Sequence, residues 1–331
     1  MSSTSAWPKG RIVPIAARGN QPSINLAVHE TGTGPAVVFC HGFPELAYSW
    51  RHQLPAVAAA GFRAIAPDQR GYGDSSAPAA ITDYGLTELT GDLVGLLDAL
   101  KIERAVFVGH DWGGFVAWAM PVLHPERTAG VIGVCTPYMA IPPTSVMRTM
   151  VGGKDERHYI LWFQEPGRAE NVMDSKARLI FDRLMRAPVS PEESMKRFTA
   201  SGEFDMNPFR RIEELAPDNA LIVTPEELEV YAAAFEKTGF RGGINWYRNI
   251  DRNARELPAI GTAKLSLPTL MITAAWDAAL PPRLAEGMPA LCSDLETNQI
   301  DRAGHWVQQE FPDEVNRAIT GWLGRHMPKQ P

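Results

Sequence analysis

The sequence lacks an excess of basic residues. Its 331 residues include 32 lysine and arginine residues against 38 aspartate and glutamate residues, which gives a net charge of −6. The two signs are interspersed, and no run of like charge indicates a charged tail. Because nucleic-acid binding needs a basic face that neutralises phosphates, we expect no nucleic acid among the partners.

Cysteine is scarce, and its count is odd. The three residues are Cys40, Cys135 and Cys292, of which the first two lie in apolar, strand-like runs. We therefore predict buried free thiols in a reducing compartment, the cytoplasm.

Long apolar segments that could cross a membrane are missing. The uncharged run 129–147 has about the length of a membrane helix, but it contains Pro137, Pro142 and Pro143. It therefore predicts a buried strand followed by a loop rather than a span. The N-terminal residues have no continuous apolar core, so no secretory signal is expected.

Several motifs of common enzyme classes are also absent. The sequence contains no G-x-S-x-G, no H-E-x-x-H, no P-loop and no G-x-G-x-x-G. A serine esterase is therefore excluded, and we expect neither a metal ion nor an organic cofactor.

What the sequence does contain is an alternation of apolar runs and helical patterns. Up to residue 136, continuous runs such as "AVVFC" and "AVFVGH" alternate with helices, which indicates a parallel sheet covered on both faces. The alternation resumes at Leu267, with a strand in "LPTLMITAAWD", a helix in "RLAEGMPALC", a strand in "LETNQID" and one closing helix in "WVQQEFPDEVNRAITGWLGRH".

The segment between these parts has helical patterns without continuous apolar strands. Two helices are predicted from capping-box spacing with proline at the first helical position, at Ser190 and at Thr224, and the second is expected to end at Gly239. We predict an α/β core domain formed by residues 1–137 and 251–331, with an inserted helical lid of residues 138–250.

The stretch "VFVGHDWGGF" predicts a strand, a sharp turn and a helix. Many hydrolases hold a nucleophilic serine in this setting, but here the central residue is Asp111, flanked by Gly109 and Gly113. Small neighbours suit such a turn because its backbone is strained and crowded. Taken alone, the pattern fits a helix-capping aspartate about as well as a nucleophile.

Two further residues favour the nucleophile. Asp277 ends one predicted strand, and His305 follows the last predicted strand. An acid and then a histidine in these places give the order nucleophile, acid, histidine that is typical of hydrolases with such a turn.

A fourth segment, "HGFPE" at His41–Glu45, follows the predicted third strand. A backbone N–H from this loop and the N–H after the nucleophile can together bind an oxyanion, and these donors would belong to Phe43 and Trp112. A simple turn is the alternative, and the isomer of the Phe43–Pro44 bond stays open.

Five motifs along the chain point to one family: "HGFPE", "GHDWGG", "YILWFQEPG", "NWYRN" and "GHW". In these motifs and their order, the chain resembles the soluble type of epoxide hydrolase, a family with the α/β-hydrolase fold. The resemblance covers nearly the whole chain. It implies a small apolar epoxide and water as substrates and a vicinal diol as product. A carboxylate such as Asp111 is ionised at neutral pH, and it can displace oxygen from a strained carbon to form an ester.

The resemblance also implies that Tyr159 and Tyr247 donate hydrogen bonds to the epoxide oxygen, since a phenol can stabilise an alkoxide and supply its proton. His305, oriented by Asp277, would then activate the water that hydrolyses the ester on Asp111.

The sequence leaves some points open. Aromatic residues near the predicted site elements indicate an apolar substrate pocket, namely Trp112, Trp162, Phe163 and Trp306. A haloalkane or haloacid dehalogenase with the same aspartate is one alternative function, and a non-catalytic binding protein of the same fold is another. We expect a monomer or a homodimer.

Overall fold

A mostly parallel sheet of eight strands lies at the centre of the structure, a computed structural model that describes residues 7–19, 21–194, 196 and 205–327. In these described residues, the strands are β1 (Arg11–Ile15), β2 (Ile24–Thr31), β3 (Ala36–Cys40), β4 (Arg63–Pro67), β5 (Ala105–His110), β6 (Thr128–Val134), β7 (Thr269–Ala274) and β8 (Leu295–Ile300). Their order is β1-β2-β4-β3-β5-β6-β7-β8. The pairs β1–β2 and β2–β4 are antiparallel, and the other neighbours are parallel.

Helices cover the sheet and fill the segment between β6 and β7. They are α1 (Gln53–Ala59), α2 (Leu86–Ala99), α3 (Trp112–Leu123), α4 (Thr144–Met150), α5 (Tyr159–Trp162), α6 (Glu170–Met173), α7 (Ala177–Leu184), α8 (Pro225–Thr238), α9 (Arg241–Arg248), α10 (Ile250–Glu256), α11 (Val307–Glu310) and α12 (Pro312–His326). Residues 191–194 are helical as well.

The central strands are apolar throughout because both faces of the sheet are covered. Every residue of β3, β5 and β7 is buried. Successive side chains of β3 enter different cores: Val37 belongs to the cluster that contains Trp322 of α12, and Val38 to the cluster that contains Leu93 of α2 and Trp118 of α3. This arrangement explains the continuous apolar runs that predicted the fold.

The connections of β3 place two loops side by side. The chain leaves β3 for β4 on one side and later returns to β5 on the other side, so β3 and β5 are neighbours. Ligands commonly bind at the carboxyl ends of strands where the direction of winding reverses in this way. The loops after β3 and β5 carry "HGFPE" and Asp111.

Among the described residues, those between β6 and β7 add no strand to the sheet. Thr224 forms the predicted capping box at the start of α8, and Gly239 ends this helix with a φ of 66°. At the other predicted helix start, the N–H of Glu193 donates to Ser190 Oγ at 3.2 Å. The predicted α/β fold class with a helical insertion is confirmed, whereas the boundaries 137/138 and 250/251 stay predictions.

Two helix predictions near the end of the chain are wrong. "RLAEGMPALC" forms two short 3₁₀ turns, Pro282–Ala285 and Met288–Ala290, because Pro289 supplies no N–H for the hydrogen bonds of a continuous α-helix. The closing segment is two helices, α11 and α12, since Phe311, before Pro312, has non-helical backbone angles (φ −131°, ψ 59°). The edge strand β1 was not predicted.

Other expectations are met. Cys40, Cys135 and Cys292 are free and buried. The run 129–147 holds most of β6, a loop and the start of α4. In the described part of the chain, no helix has the length and apolar character that a membrane crossing requires.

Candidate active site

Asp111 lies on a sharp turn between β5 and α3. Its backbone angles are φ 49° and ψ −124°, a conformation that costs energy for any residue with a side chain. The flanking glycines make the turn possible. A Cβ on Gly109 would lie 2.1 Å from the carbonyl oxygen of Gly113, and one on Gly113 would lie 2.0 Å from that of Cys40.

The hydrogen bonds of Asp111 orient its carboxylate. Oδ1 accepts the N–H of Phe43 at 2.8 Å, and the backbone oxygen accepts the hydroxyl of Thr136 at 2.8 Å. Oδ2 lies 3.7 Å from Nε2 of His305, which is beyond a normal hydrogen bond. The two carboxylate oxygens are therefore different: one is held by the loop after β3, and the other faces the histidine.

Asp277 lies in the turn after β7 and is almost fully buried. Its Oδ2 is 2.9 Å from His305 Nδ1, and its Oδ1 accepts the N–H groups of Ala279 and Leu280 at 2.8 and 2.9 Å. Burial alone would raise the pKa of Asp277, but the charge of His305 and these hydrogen bonds lower it to about 2. Asp277 is thus ionised and holds the Nδ1 proton of His305.

His305 lies between two carboxylates. Burial favours its neutral form, but the attraction of Asp277 and Asp111 outweighs burial and holds the pKa of His305 well above its usual value. If the charge of Asp111 disappeared, part of this attraction would be lost and the pKa of His305 would fall.

Tyr159, the first residue of α5, and Tyr247 in α9 reach the same place from the segment between β6 and β7. Their ring centroids are 5.6 Å apart. Burial, together with the negative charge of Asp111, raises the pKa of both phenols. Both side chains therefore keep their protons at neutral pH and can act as hydrogen-bond donors.

A cavity of about 590 Å³ joins these groups. Asp111, Tyr159, Tyr247 and His305 all line it, and the rest of its wall is largely apolar, with Phe43, Met206, Phe209, Leu184, Leu215 and Trp306. Four of the sequence-predicted catalytic side chains thus meet in one cavity, although they lie on four different segments of the chain. Asp277 is outside the cavity lining and contacts the site through His305.

The predicted pocket aromatic residues occupy two different kinds of position. Trp306 lines the cavity. The rings of Trp112 and Phe163 are buried and pack edge-on against Tyr247, each at 5.1 Å, and Trp162 packs against Phe163 at 5.8 Å. These three residues are outside the cavity lining and support its tyrosines from behind.

The sequence did not predict the buried pair that His110 and Glu45 form beneath His305. Nδ1 of His110 lies 2.7 Å from Glu45 Oε2, and Nε2 lies 2.7 Å from the backbone oxygen of His305. Burial opposes ionisation of Glu45, but His110 lowers its pKa to about 2. The signal available in the sequence was a glutamate and a histidine inside apolar motifs, where a charge needs a partner.

The neighbouring His41 plays a different part. Its Nδ1 faces the backbone oxygen of Gly42 at 2.9 Å, and its Nε2 accepts the N–H of Gln69 at 3.0 Å. Burial lowers the pKa of His41. It is therefore a neutral histidine that shapes the loop. The Phe43–Pro44 bond in this loop is cis.

One group of side chains has a spacing compatible with metal binding: His110, Cys135 and His305 bring potential ligand atoms within 4.8 Å of one another in the described residues. The nitrogen atoms of both histidines already face protein partners, however, as described above. The cluster therefore offers no set of free ligands.

Comparison with known proteins agrees with this geometry. The family described as "alpha/beta hydrolase fold" matches residues 35–312. Epoxide hydrolase A of Mycobacterium tuberculosis (strain ATCC 25618 / H37Rv) is 42% identical over 308 residues, which are 91% of this chain and 94% of the relative. Bifunctional epoxide hydrolase 2 of Mus musculus is 40% identical over 92% of this chain and 54% of its own length.

Solved structures lead to the same family. The crystal structure of epoxide hydrolase A from Mycobacterium thermoresistibile superimposes with a TM-score of 0.85 at 40% identity, over 98% of this chain and 99% of that one. An epoxide hydrolase from an endophytic Streptomyces gives a TM-score of 0.85 at 36% identity, over 97% and 96% of the two chains. The chain belongs to the epoxide hydrolases of the α/β-hydrolase fold.

Proposed function

We propose that this protein hydrolyses an apolar epoxide to a vicinal diol in two half-reactions, through an ester on Asp111. The observation that carries the proposal is the presence of two protonated phenols, Tyr159 and Tyr247, in the same cavity as the aspartate of a nucleophile turn. An epoxide needs both an attacking group and a proton donor for its oxygen, and this cavity offers both.

In the first half-reaction, Oδ2 of Asp111 attacks an epoxide carbon. A carbon–oxygen bond forms to Oδ2 as the ring C–O bond breaks. Tyr159 and Tyr247 donate hydrogen bonds to the opening oxygen, and one phenol passes it a proton. Oδ1 of Asp111 stays on the N–H of Phe43, so the attacking oxygen is the one that faces the cavity.

Ester formation switches the role of His305. The charge of Asp111 disappears when Oδ2 becomes an ester oxygen, so the pKa of His305 loses one of the two attractions that raise it. His305 then releases its proton to solvent, and it regains one when the carboxylate of Asp111 is restored. In between, the neutral imidazole, held by Asp277, can take a proton from water. The switch explains how a histidine with a raised pKa in the free enzyme becomes a base only when an ester is present.

In the second half-reaction, the water oxygen attacks Cγ of Asp111. The N–H groups of Phe43 and Trp112 bind the oxyanion that forms. Its collapse breaks the bond between Cγ and Oδ2, and Oδ2 leaves as the second oxygen of the diol. The two water protons end on this hydroxyl and on the phenolate, so Asp111 returns to its carboxylate.

The alternatives are less well supported. A dehalogenase would need donors for a halide rather than two phenols beside the nucleophile, and the named relatives are epoxide hydrolases. A binding protein would have no use for the nucleophile, acid, histidine arrangement. We further propose an apolar substrate, since the cavity wall is largely apolar, and a reducing, cytoplasmic location, in keeping with three unpaired cysteines.

The test is to trap the ester. In a His305→Ala variant mixed with a small epoxide, intact mass should rise by the mass of one substrate, and peptide mapping should place the adduct on Asp111. His326→Ala, which removes a histidine paired with Glu296 at the surface, is the matched control and should turn over normally. Turnover by the wild type without any adduct on His305→Ala would contradict the covalent route.

A further inference from the structure

Glu310, the last residue of α11, touches the backbone on both sides of the catalytic histidine. Its Oε2 accepts the N–H of Gly304 at 2.7 Å, and its Oε1 accepts the N–H of Trp306 at 2.9 Å. One carboxylate therefore spans the turn whose central residue is His305. The reaction described above gives Glu310 no chemical role.

The same turn has two other anchors. The backbone oxygen of His305 accepts from Nε2 of His110 at 2.7 Å, and the indole N–H of Trp306 donates to the backbone oxygen of Leu184, at the end of α7, at 2.9 Å. These bonds hold the carbonyl group of His305 and the indole side chain of Trp306. The flanking N–H groups are held by Glu310, so this carboxylate controls the tilt of the turn.

Burial raises the pKa of Glu310 above its usual value, although the two N–H donors and the nearby His305 favour the ionised form and work against this effect. A carboxylate that accepts two backbone N–H bonds is a strong and directional clamp, since bonds to charged acceptors are stronger than neutral ones. A glutamate that reaches back to the start of its helix also occurs as a simple cap. Glu310 differs from such a cap because the two backbone N–H groups that donate to it flank the general base, His305.

We propose that Glu310 is a positioning residue that aims Nε2 of His305 at the water of the second half-reaction. The inference rests on the proposed two-step reaction. Nε2 lies 3.7 Å from Asp111 Oδ2, so the water must fit beside this gap and in line with Cγ. A small tilt of the turn displaces Nε2 from the water but leaves Asp111 and the two tyrosines, which lie on other elements, in place.

The test compares the two half-reactions in Glu310→Gln. Glutamine keeps the size of the side chain, but its NH₂ group would face a backbone N–H, so one of the two bonds is lost. We expect ester hydrolysis to slow by about 10- to 100-fold, the range for a misplaced catalytic group, while ester formation keeps its wild-type rate. The ester should therefore accumulate during turnover. Glu310→Asp, which keeps two acceptors on a shorter arm, should fall between wild type and Glu310→Gln.

Rapid-quench mass spectrometry measures both rates. The amplitude of ester formation gives the fraction of enzyme molecules whose active site is correctly folded. Glu314→Gln, the same change at a more exposed position on α12, is the control and should behave as wild type. Equal slowing of both half-reactions, or no change in either, would overturn the proposal. If Glu310→Gln does not fold, an unchanged ratio of the two rates in Glu310→Asp overturns it. Turnover by the wild type without an ester would instead refute the two-step reaction itself.

Discussion

Replacement of Asp277 by asparagine tests how the acid controls the histidine. The pKa of Asp277 is lowered from its ordinary 3.8 to about 2, which corresponds to about 2 kcal/mol in favour of the ionised form after the cost of burial is included. Asparagine keeps an oxygen for the N–H groups of Ala279 and Leu280. Its NH₂ group, however, takes the place of Oδ2, 2.9 Å from Nδ1 of His305.

The variant therefore reverses the direction of a hydrogen bond. An NH₂ donor at this place makes Nδ1 the acceptor and leaves the proton of a neutral imidazole on Nε2, the atom that must receive a proton from water. In a serine protease the corresponding change reduces turnover by about 10⁴-fold, and we expect ester hydrolysis by Asp277→Asn to slow by a similar factor. Ester formation does not use His305 as a base and should stay within about tenfold of wild type.

A single-turnover experiment with excess enzyme separates the two rates, because ester appears and decays in quenched samples analysed by mass. Asp301→Asn, an exposed aspartate in the turn after β8, is the matched control and should leave both rates unchanged. Hydrolysis of the ester by Asp277→Asn at more than a tenth of the wild-type rate would refute the assigned role of the acid.

Three further predictions follow from the same geometry. Tyr159→Phe and Tyr247→Phe should each slow ester formation by about 10²-fold, and the double variant should form no ester; epoxide consumption by the double variant would remove the role of the phenols. Gly113→Ala would place a Cβ 2.0 Å from a backbone carbonyl of β3, so it should lower the free energy of unfolding by about 3 kcal/mol and abolish turnover. Gly324→Ala, with open space at the added methyl group, should fold and turn over normally. Because the pKa of Asp277 is lowered, its ionisation stabilises the fold above pH 3.8, the pKa of this group in the unfolded chain. This stabilisation disappears as the pH falls through about 2. The urea midpoint should therefore fall more steeply in that range for wild type than for Asp277→Asn.

The fold was predictable because its signals are local. Strands covered on both faces appear as continuous apolar runs, and Asp111 lies between glycines within five residues of sequence. The predictions failed where proline interrupted an otherwise helical pattern, at Pro289 and Pro312, because the pattern of apolar residues by itself ignores the missing N–H. The edge strand β1 was missed because its residues are largely exposed and include Pro14.

By itself, the sequence determined the nucleophile turn, the order of Asp111, Asp277 and His305, and a family resemblance that the comparisons confirmed. Only the tertiary structure decided what lies beneath and around His305: the buried pair of His110 and Glu45, and the clamp by Glu310. His110 contacts the backbone of His305 across 195 positions of sequence. A contact over such a distance depends on how the strands are ordered in the sheet, and no local pattern of residues records it.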